Sequence, residues 1–296
     1  MTTRCNVNNS ILTSIKNMMP DFSKSQKRIA NFVTEHYEKA SFMTASKLGD
    51  TVGVSESTVV RFATVLGFEG YPEFQKSLQE ITRNRLTAVQ RMEITSQLMQ
   101  DHDVLTKVLN SDIEKIRRTL EEVDHAQFEE AVNALASARR IYIIGVGSSA
   151  SLARFVSFYF NHIFDNVNFI ETTSSSEMFE RIMRINENDV LFGISFPRYS
   201  SRTSKALLYA KERGARVIAL TDSIASPIAE IADLTLLAKS DMASFVDSLV
   251  APLSLLNALI VAVGIKRQAE VTQSLNMLEH IWDEYEVYQK SENPNE

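Results

Sequence analysis

Cysteine is nearly absent: the 296 residues contain one, Cys5. A single thiol cannot close a disulfide within the chain or build a cysteine-based metal site, and its scarcity points to a reducing compartment. No unbroken apolar run reaches the ~20 residues that a membrane span needs. The nearest, Leu249–Ile265, is interrupted by Pro252, Ser254, Asn257 and Gly264, and is expected to be a buried or subunit-interface helix. The opening Met1–Ser10 is polar and carries no apolar stretch of the secretory type. Together these absences predict a cytoplasmic chain with no membrane contact. Glycine and proline are also scarce, at 9 and 6, and from Glu73 to Ile144 there is neither.

What is present is a globular composition, 44% hydrophobic and 23% charged, with length for two domains. The net charge of −6 does not advertise a nucleic-acid binder, but its distribution is uneven. Residues 1–100 hold 12 Lys and Arg against 9 Asp and Glu, whereas residues 101–296 hold 19 against 28. That direction permits DNA contact by the N-terminal part only.

The stretch free of glycine and proline, rich in Leu, Glu, Arg, Gln and Ala, reads as helix. Its part Arg83–Asp124 is expected to connect two domains. Beyond it, short apolar runs alternate with helix-like segments. Ile141–Ile144, Val167–Ile170, Val190–Ile194, Val217–Leu220 and Leu234–Leu237 read as strands. Ala150–Phe164, Glu177–Ile185, Thr203–Arg213 and Pro227–Ile231 read as helices between them. This alternation predicts βαβ units and a parallel sheet covered on both faces. Phe245–Tyr288 reads as helix with a local break at Gly264, and Ser291–Glu296 as an unstructured tail.

Residues 22–80 divide into short helical pieces. Ser25–His36 carries Ile29, Ala30, Phe32 and Val33 on one side. Thr44 is placed to cap a helix Ala45–Val52, and Gly53-Val54 makes a turn. Ser55 is placed to cap a second helix, Glu56–Leu66, which Gly67 ends. Two short helices joined by a tight glycine turn form a helix-turn-helix. In the second, Val59, Phe62 and Ala63 face inward, leaving Ser55, Ser57, Thr58 and Arg61 to reach base edges and phosphates in the major groove. Lys47, with Lys24, Lys27 and Arg28, is a candidate phosphate contact. By spacing alone, a generic three-helix domain with a polar surface fits equally well.

The segments Val54-Ser55-Glu56-Ser57-Thr58-Val59-Val60-Arg61-Phe62 and Leu66-Gly67-Phe68-Glu69-Gly70-Tyr71-Pro72-Glu73-Phe74 resemble the helix-turn-helix of the RpiR family of bacterial regulators. Gly49 stands where that family usually has alanine.

In the second half, three strand ends carry the chemistry. The first is Gly145-Val146-Gly147-Ser148-Ser149-Ala150. Glycines let the backbone turn tightly, and the following helix presents free N–H groups to an anion. The second is Thr172–Ser176. The third is Ser195-Phe196-Pro197-Arg198-Tyr199-Ser200-Ser201-Arg202-Thr203. Hydroxyl-rich loops meeting beyond the strand ends, with Arg198 and Arg202 nearby, suit a phosphate and a polyol.

Two rival readings stand beside this one. Gly145-x-Gly147-x-x-Ala150 also fits a dinucleotide fingerprint, with Glu171 where a ribose-binding acid belongs; that would make a redox-sensing regulator. A sugar-phosphate isomerase would need a general base, for which Glu177, His162, Glu279 and His280 are the candidates.

Residues ~126–245 resemble a SIS (sugar isomerase) domain, through Gly145–Ser149, the loop Ser195–Thr203, Ala215–Asp222 and Ser226-Pro227. The substituted and lengthened Ser195–Thr203 loop is of the kind found in RpiR-type regulators. The resemblance implies that Ser149, Ser195, Ser200 and Thr203 hold a phosphosugar; Gly147, Ser148, Arg198 and Ser201 are expected to line the same site from the residue types at the strand ends, and no catalysis, cofactor or metal is expected. The expected architecture is an all-helical helix-turn-helix domain (1–82), a helical connector (83–125) and a flavodoxin-like five-stranded parallel α/β/α SIS domain with C-terminal helices (126–296), sheet order 2-1-3-4-5. The expected function is a transcriptional regulator, a repressor of sugar-metabolism genes. Its partners are a double-stranded DNA operator, a phosphorylated sugar effector and further copies of itself, as a homodimer or homotetramer.

Overall fold

The computed structural model describes residues 10–83, 88–98, 103–172, 174–240 and 246–288. The expected tail 291–296, Cys5, Thr173 and parts of the expected connector lie outside the described residues. The chain divides into two compact units, Met1–His102 and Asp103–Glu296.

The first unit is helical: α1 (Ser10–Met18), a 3-10 turn (Met19–Asp21), α2 (Lys24–Glu35), α3 (Tyr37–Ala40), α4 (Ala45–Val52), α5 (Glu56–Val65), α6 (Tyr71–Arg83) and α7 (Ala88–Leu98). The helix α1 adds to the helices expected from the sequence, and its Ile11 and Ile15 are buried in this unit's core. The core gathers Phe22, Ile29, Val33, Leu48, Val59, Phe62, Phe74 and Leu78. Phe62 is central, with its ring centroid 5.2 Å from Phe22 and 5.9 Å from Phe74. Ser23 starts α2 with a reciprocal cap: its hydroxyl accepts from the Gln26 N–H, and the Gln26 side chain accepts from the Ser23 N–H.

The second unit opens with α8 (Val104–Glu122) and α9 (His125–Ser137). The sheet and its crossovers follow: β1 (Arg140–Gly145), α10 (Ser149–Phe160), β2 (Val167–Phe169), α11 (Ser175–Ile182), β3 (Asp189–Ile194), α12 (Ser201–Glu212), β4 (Arg216–Thr221) and β5 (Leu234–Leu237). All four pairings are parallel and the order is β2-β1-β3-β4-β5, as expected. β3 is buried along its whole length, because apolar layers cover both sheet faces. One layer includes Ile143, Leu152, Val156, Phe192, Leu220 and Leu256. The other includes Ile144, Met178, Leu191, Leu207 and Val217.

Two local expectations are corrected. Pro227–Ile231 is a series of turns, since five residues beginning at a proline are too few to propagate a helix. Gly264 does not break its helix: α13 runs Val250–Lys266, and the break falls at Arg267 before α14 (Gln268–Glu284), at a bend of 99°. Packing overrides the weak glycine propensity there, because α13 buries Ala251, Pro252, Leu255, Leu256, Leu259 and Val263. Among the described residues no single helix is long and apolar enough to cross a membrane, although the bent pair α13–α14 passes by length and composition.

Candidate functional site

In the first unit, α4 and α5 form the helix-turn-helix. Thr44 caps α4, its hydroxyl accepting from the Lys47 N–H at 3.2 Å. Gly53 ends it in the left-handed region at φ 69°. Gly49 has a packing reason: a Cβ there would lie 2.7 Å from the Val54 carbonyl oxygen, so the turn has closed onto α4 more tightly than alanine allows. Ser55 occupies the N-cap position of α5, but its hydroxyl makes no cap bond. It pairs instead with Ser57 Oγ at 3.0 Å and Thr58 Oγ1 at 2.8 Å. Arg61 leans on the same cluster, donating to the Ser57 carbonyl at 3.2 Å and to Ser57 Oγ at 3.4 Å.

Ser55, Ser57 and Arg61 are exposed and Thr58 half-buried, while Val59, Phe62 and Ala63 are buried, so the two faces of α5 separate as expected. Lys47 is exposed on α4. The Tyr71 segment anchors α6: its hydroxyl donates to the Met43 carbonyl at 2.7 Å, and Gln75 Nε2 donates to the same oxygen at 2.8 Å. Burial pushes the Tyr71 phenol pKa up, which keeps it a donor.

In the second unit, β1 and β3 are neighbours while their following helices are α10 and α12, so the chain reverses its direction of travel across the sheet between them. The Gly145 Cα pairs with Ile194, which sets the first loop beside Ser195. Open α/β sheets bind ligands beyond the strands' carboxyl ends at this kind of crevice. A Cβ on Gly145 would fall 2.4 Å from the Ser149 carbonyl oxygen and 3.1 Å from the Ala153 Cβ, so glycine lets α10 start directly on β1. Gly147 sits at φ 65°, and a Cβ there would meet no atom within 4 Å. Ser148 and Ser149 follow at the amino end of α10, Ser148 exposed and Ser149 buried.

Ser195, Ser200 and Thr203 are linked through two hydroxyls and two backbone N–H groups. Ser195 Oγ accepts from the Ser200 N–H at 3.0 Å, and Ser200 Oγ caps α12 by accepting from the Thr203 N–H at 3.3 Å. Thr203 is buried in the first turn of α12, and its Oγ1 has no hydrogen-bond partner. A buried hydroxyl left unpaired costs free energy unless something else satisfies it.

Arg198 and Ser201 are exposed. Arg202 is turned aside, donating to the Thr172 carbonyl at 3.1 Å. Tyr199, not singled out in the sequence, ties this loop to the end of β4 by donating to Asp222 Oδ1 at 2.8 Å. No sequence signal marks that pair, because the two residues are 23 positions apart.

The candidate bases are occupied or remote. Glu177 accepts from the Thr172 hydroxyl at 2.6 Å and from Arg181 at 2.7 Å; these bonds hold its carboxyl below the usual range, opposite to what a base near neutrality needs. The His162 ring packs edge-on against Phe158 at 5.0 Å. Glu279 and His280 are exposed on α14, a helix with no buried residue. Glu171, the ribose-acid candidate, is ion-paired with Arg154.

Two family models match the chain in the expected order: the helix-turn-helix domain of the rpiR family over residues 9–84, and the SIS domain over residues 134–262. An HTH-type transcriptional regulator of Haemophilus influenzae is 29% identical over 230 residues, which cover 77% of this chain and 79% of that protein. Another, from Caldanaerobacter subterraneus, is 25% identical over 272 residues, covering 90% and 94%. The sugar isomerase domain of an RpiR transcription factor from Sphaerobacter thermophilus superposes with a TM-score of 0.58 at 27% identity, covering 60% of this chain and 99% of that one. The Vibrio vulnificus NanR protein, solved with ManNAc-6P, shares the fold at a TM-score of 0.58 and 21% identity, covering 93% and 99%. With both segments matched in order, the chain belongs to the rpiR family of helix-turn-helix transcriptional regulators that carry a SIS domain.

Proposed function

We propose that this regulator is a cytoplasmic repressor of sugar-metabolism genes. In this reading residues 1–82 bind the operator, 83–125 connect, and 126–296 bind a phosphorylated sugar. The observation that carries the ligand reading is the unpaired, buried Thr203 hydroxyl in the first turn of α12, beside Ser200 and Ser195. A phosphate at the start of a helix accepts from its free N–H groups, and Thr203 is a further donor. Gly147, Ser148 and Ser149 present the amino end of α10 from the adjacent strand, and Arg198 and Ser201 complete the rim. The occurrence of ManNAc-6P in a protein of like fold is in keeping with this ligand class.

The site binds without converting. Glu177 is held as a carboxylate by Thr172 and Arg181, and the other candidate bases lie in a ring stack or on an exposed helix. Self-association as a dimer or tetramer is part of the proposal. The exposed Leu105, Leu109, Ile113, Ile116 and Leu120 on α8 support it, more than α13, whose apolar surface is largely buried. Two paired recognition helices would meet a palindromic operator. The sugar shifts DNA affinity by binding the DNA-competent and DNA-incompetent states unequally.

The test is a thermal-shift panel of phosphorylated sugars, their unphosphorylated parents, NAD, NADH and NADPH. A ligand at one hundred times its Kd adds about 2.7 kcal/mol to native stability. The expected result is a raised melting temperature with one phosphosugar and not its parent. A shift with a nicotinamide instead sinks the reading.

A further inference from the structure

The outward face of α5 is formed by Ser57, Val60, Arg61 and Thr64. At 100° per residue these fall within about 100° of one another, and all are exposed. Three of them have polar side chains. Arg61 donates to Ser57, and the Thr64 hydroxyl donates to the Val60 carbonyl at 3.3 Å. Val60 is the exception: its side chain has nothing to donate or accept, it is 38% exposed, and it belongs to no part of this unit's core. Its branched side chain has one strongly preferred rotamer in a helix, so its methyls are fixed relative to Arg61 one residue on. The other exposed valine of α5, Val65, sits at the helix's carboxyl end, away from the part that enters a groove. A lone apolar group set among hydrogen-bonding neighbours suits an edge that is itself mixed. The major groove has one such apolar feature, the C5 methyl of thymine, beside the acceptors and donors of the other bases.

We propose that Val60 is a specificity-determining residue that reads the C5 methyl of a thymine in the operator. This rests on the assignment of α5 as the DNA-reading helix and names the group it recognises. The contact discriminates by burial rather than by hydrogen bonding, so removing one methyl weakens binding by about fourfold, the equivalent of one buried methylene.

Operators are selected with the full chain from a random duplex pool. Each thymine of the selected site is then replaced singly by deoxyuridine, which removes the methyl and keeps the base pair. Affinity is read by fluorescence anisotropy at fixed salt. At least one position is expected to lose about fourfold with the native chain. Val60→Ala should bind the thymine and deoxyuridine forms of that position equally, while Val60→Ile keeps the difference. Alanine at an exposed helix position preserves α5, since it is the best helix former. The inference is overturned if no thymine methyl matters, or if Val60→Ala retains the native deoxyuridine profile. Failure to enrich any duplex removes the DNA-reading assignment itself, a separate outcome.

Discussion

The helix-turn-helix and the proposed ligand cradle are built on the same pair of devices, and they put them to different ends. Each has one glycine packed against backbone and one in the left-handed region: Gly49 and Gly53 in the first unit, Gly145 and Gly147 in the second. At the helix-turn-helix a Cβ on the second glycine would lie 3.3 Å from the Arg28 Nη1, and the hydroxyls that follow bond to one another on the surface. At the cradle the second glycine has no atom within 4 Å of its missing Cβ, and the neighbouring β3 loop ends on a buried hydroxyl without a partner. One turn completes its own hydrogen bonding and offers a rigid outer face. The other leaves one buried hydroxyl without a partner, a group that a bound anion would satisfy.

The sharpest way to break this parallel is to fill the packed glycines. Gly145→Ala meets the Ser149 backbone and the Ala153 side chain, neither of which can rotate away, and is expected to destabilise the second unit by about 3 kcal/mol. Gly49→Ala meets the turn backbone at the longer distance of 2.7 Å, against 2.4 Å at Gly145, and should destabilise the first unit less, by about 2 kcal/mol. Hydrogen exchange read separately on peptides of each unit checks both. Equal effects would refute the ranking by distance.

Next in size is a double dissociation. Arg61→Ala is expected to weaken operator binding about fivefold or more, the loss of about 1–3 kcal/mol, and to leave sugar-phosphate affinity unchanged. Ser195→Ala removes the acceptor of the Ser200 N–H and should weaken sugar-phosphate binding by roughly tenfold, with DNA affinity in the absence of ligand unchanged. Titration of each variant with operator and with the phosphosugar found in the thermal panel decides. Cross-effects would mean that one of the two surfaces is misassigned.

Capping separates the two helices of the helix-turn-helix. Thr44→Ala removes a cap that forms and should cost about 1 kcal/mol in urea unfolding. Ser55→Ala removes a hydroxyl that does not cap and should cost less than about 0.5 kcal/mol. A cost for Ser55 equal to that for Thr44 would restore it as a cap.

The smallest effect is one of pH. Glu177 is held below the ordinary carboxylate range, first by Thr172 and then by Arg181. A depressed acid contributes stability that is present above its unfolded pKa and lost as pH falls through the folded one. Amide protection at the start of α11 should therefore persist through the ordinary carboxylate range, about 4.3, and fail only in stronger acid. Thr172→Val should move that loss to higher pH. No movement would show that Arg181 alone holds the carboxylate.

Much of this was legible in the chain itself. The strands showed as short apolar runs because both sheet faces are covered, which leaves no polar alternation to obscure them. The helix-turn-helix showed because Thr44, Gly53 and Gly67 act on their immediate neighbours. The errors have the opposite character. α1 places Ile11, Leu12, Ile15 and Met18 on one face at helical spacing, but nine residues are too few for a stable isolated helix, and the core they meet holds it. Gly264 reads as a break by local propensity, but α13 carries through it on six buried residues. Ser55 stands where a cap belongs and finds better partners in Ser57 and Thr58.

The strand order came with the resemblance to the SIS domain, whereas the sequence by itself determined the alternation of strands and helices in the second unit, the two faces of α5 and the hydroxyl loops at the strand ends. Each follows from periodicity or from chemistry reaching no more than a few residues. Only the tertiary structure decided that Thr203 ends buried without a partner, that Glu171 is engaged by Arg154, and that Tyr199 reaches Asp222. These depend on where folded backbone places atoms from separate elements, and on which polar groups burial leaves able to meet. Hydrophobic pattern fixes the layers of the fold, but the pairing of polar groups is settled at ångström scale after those layers have packed.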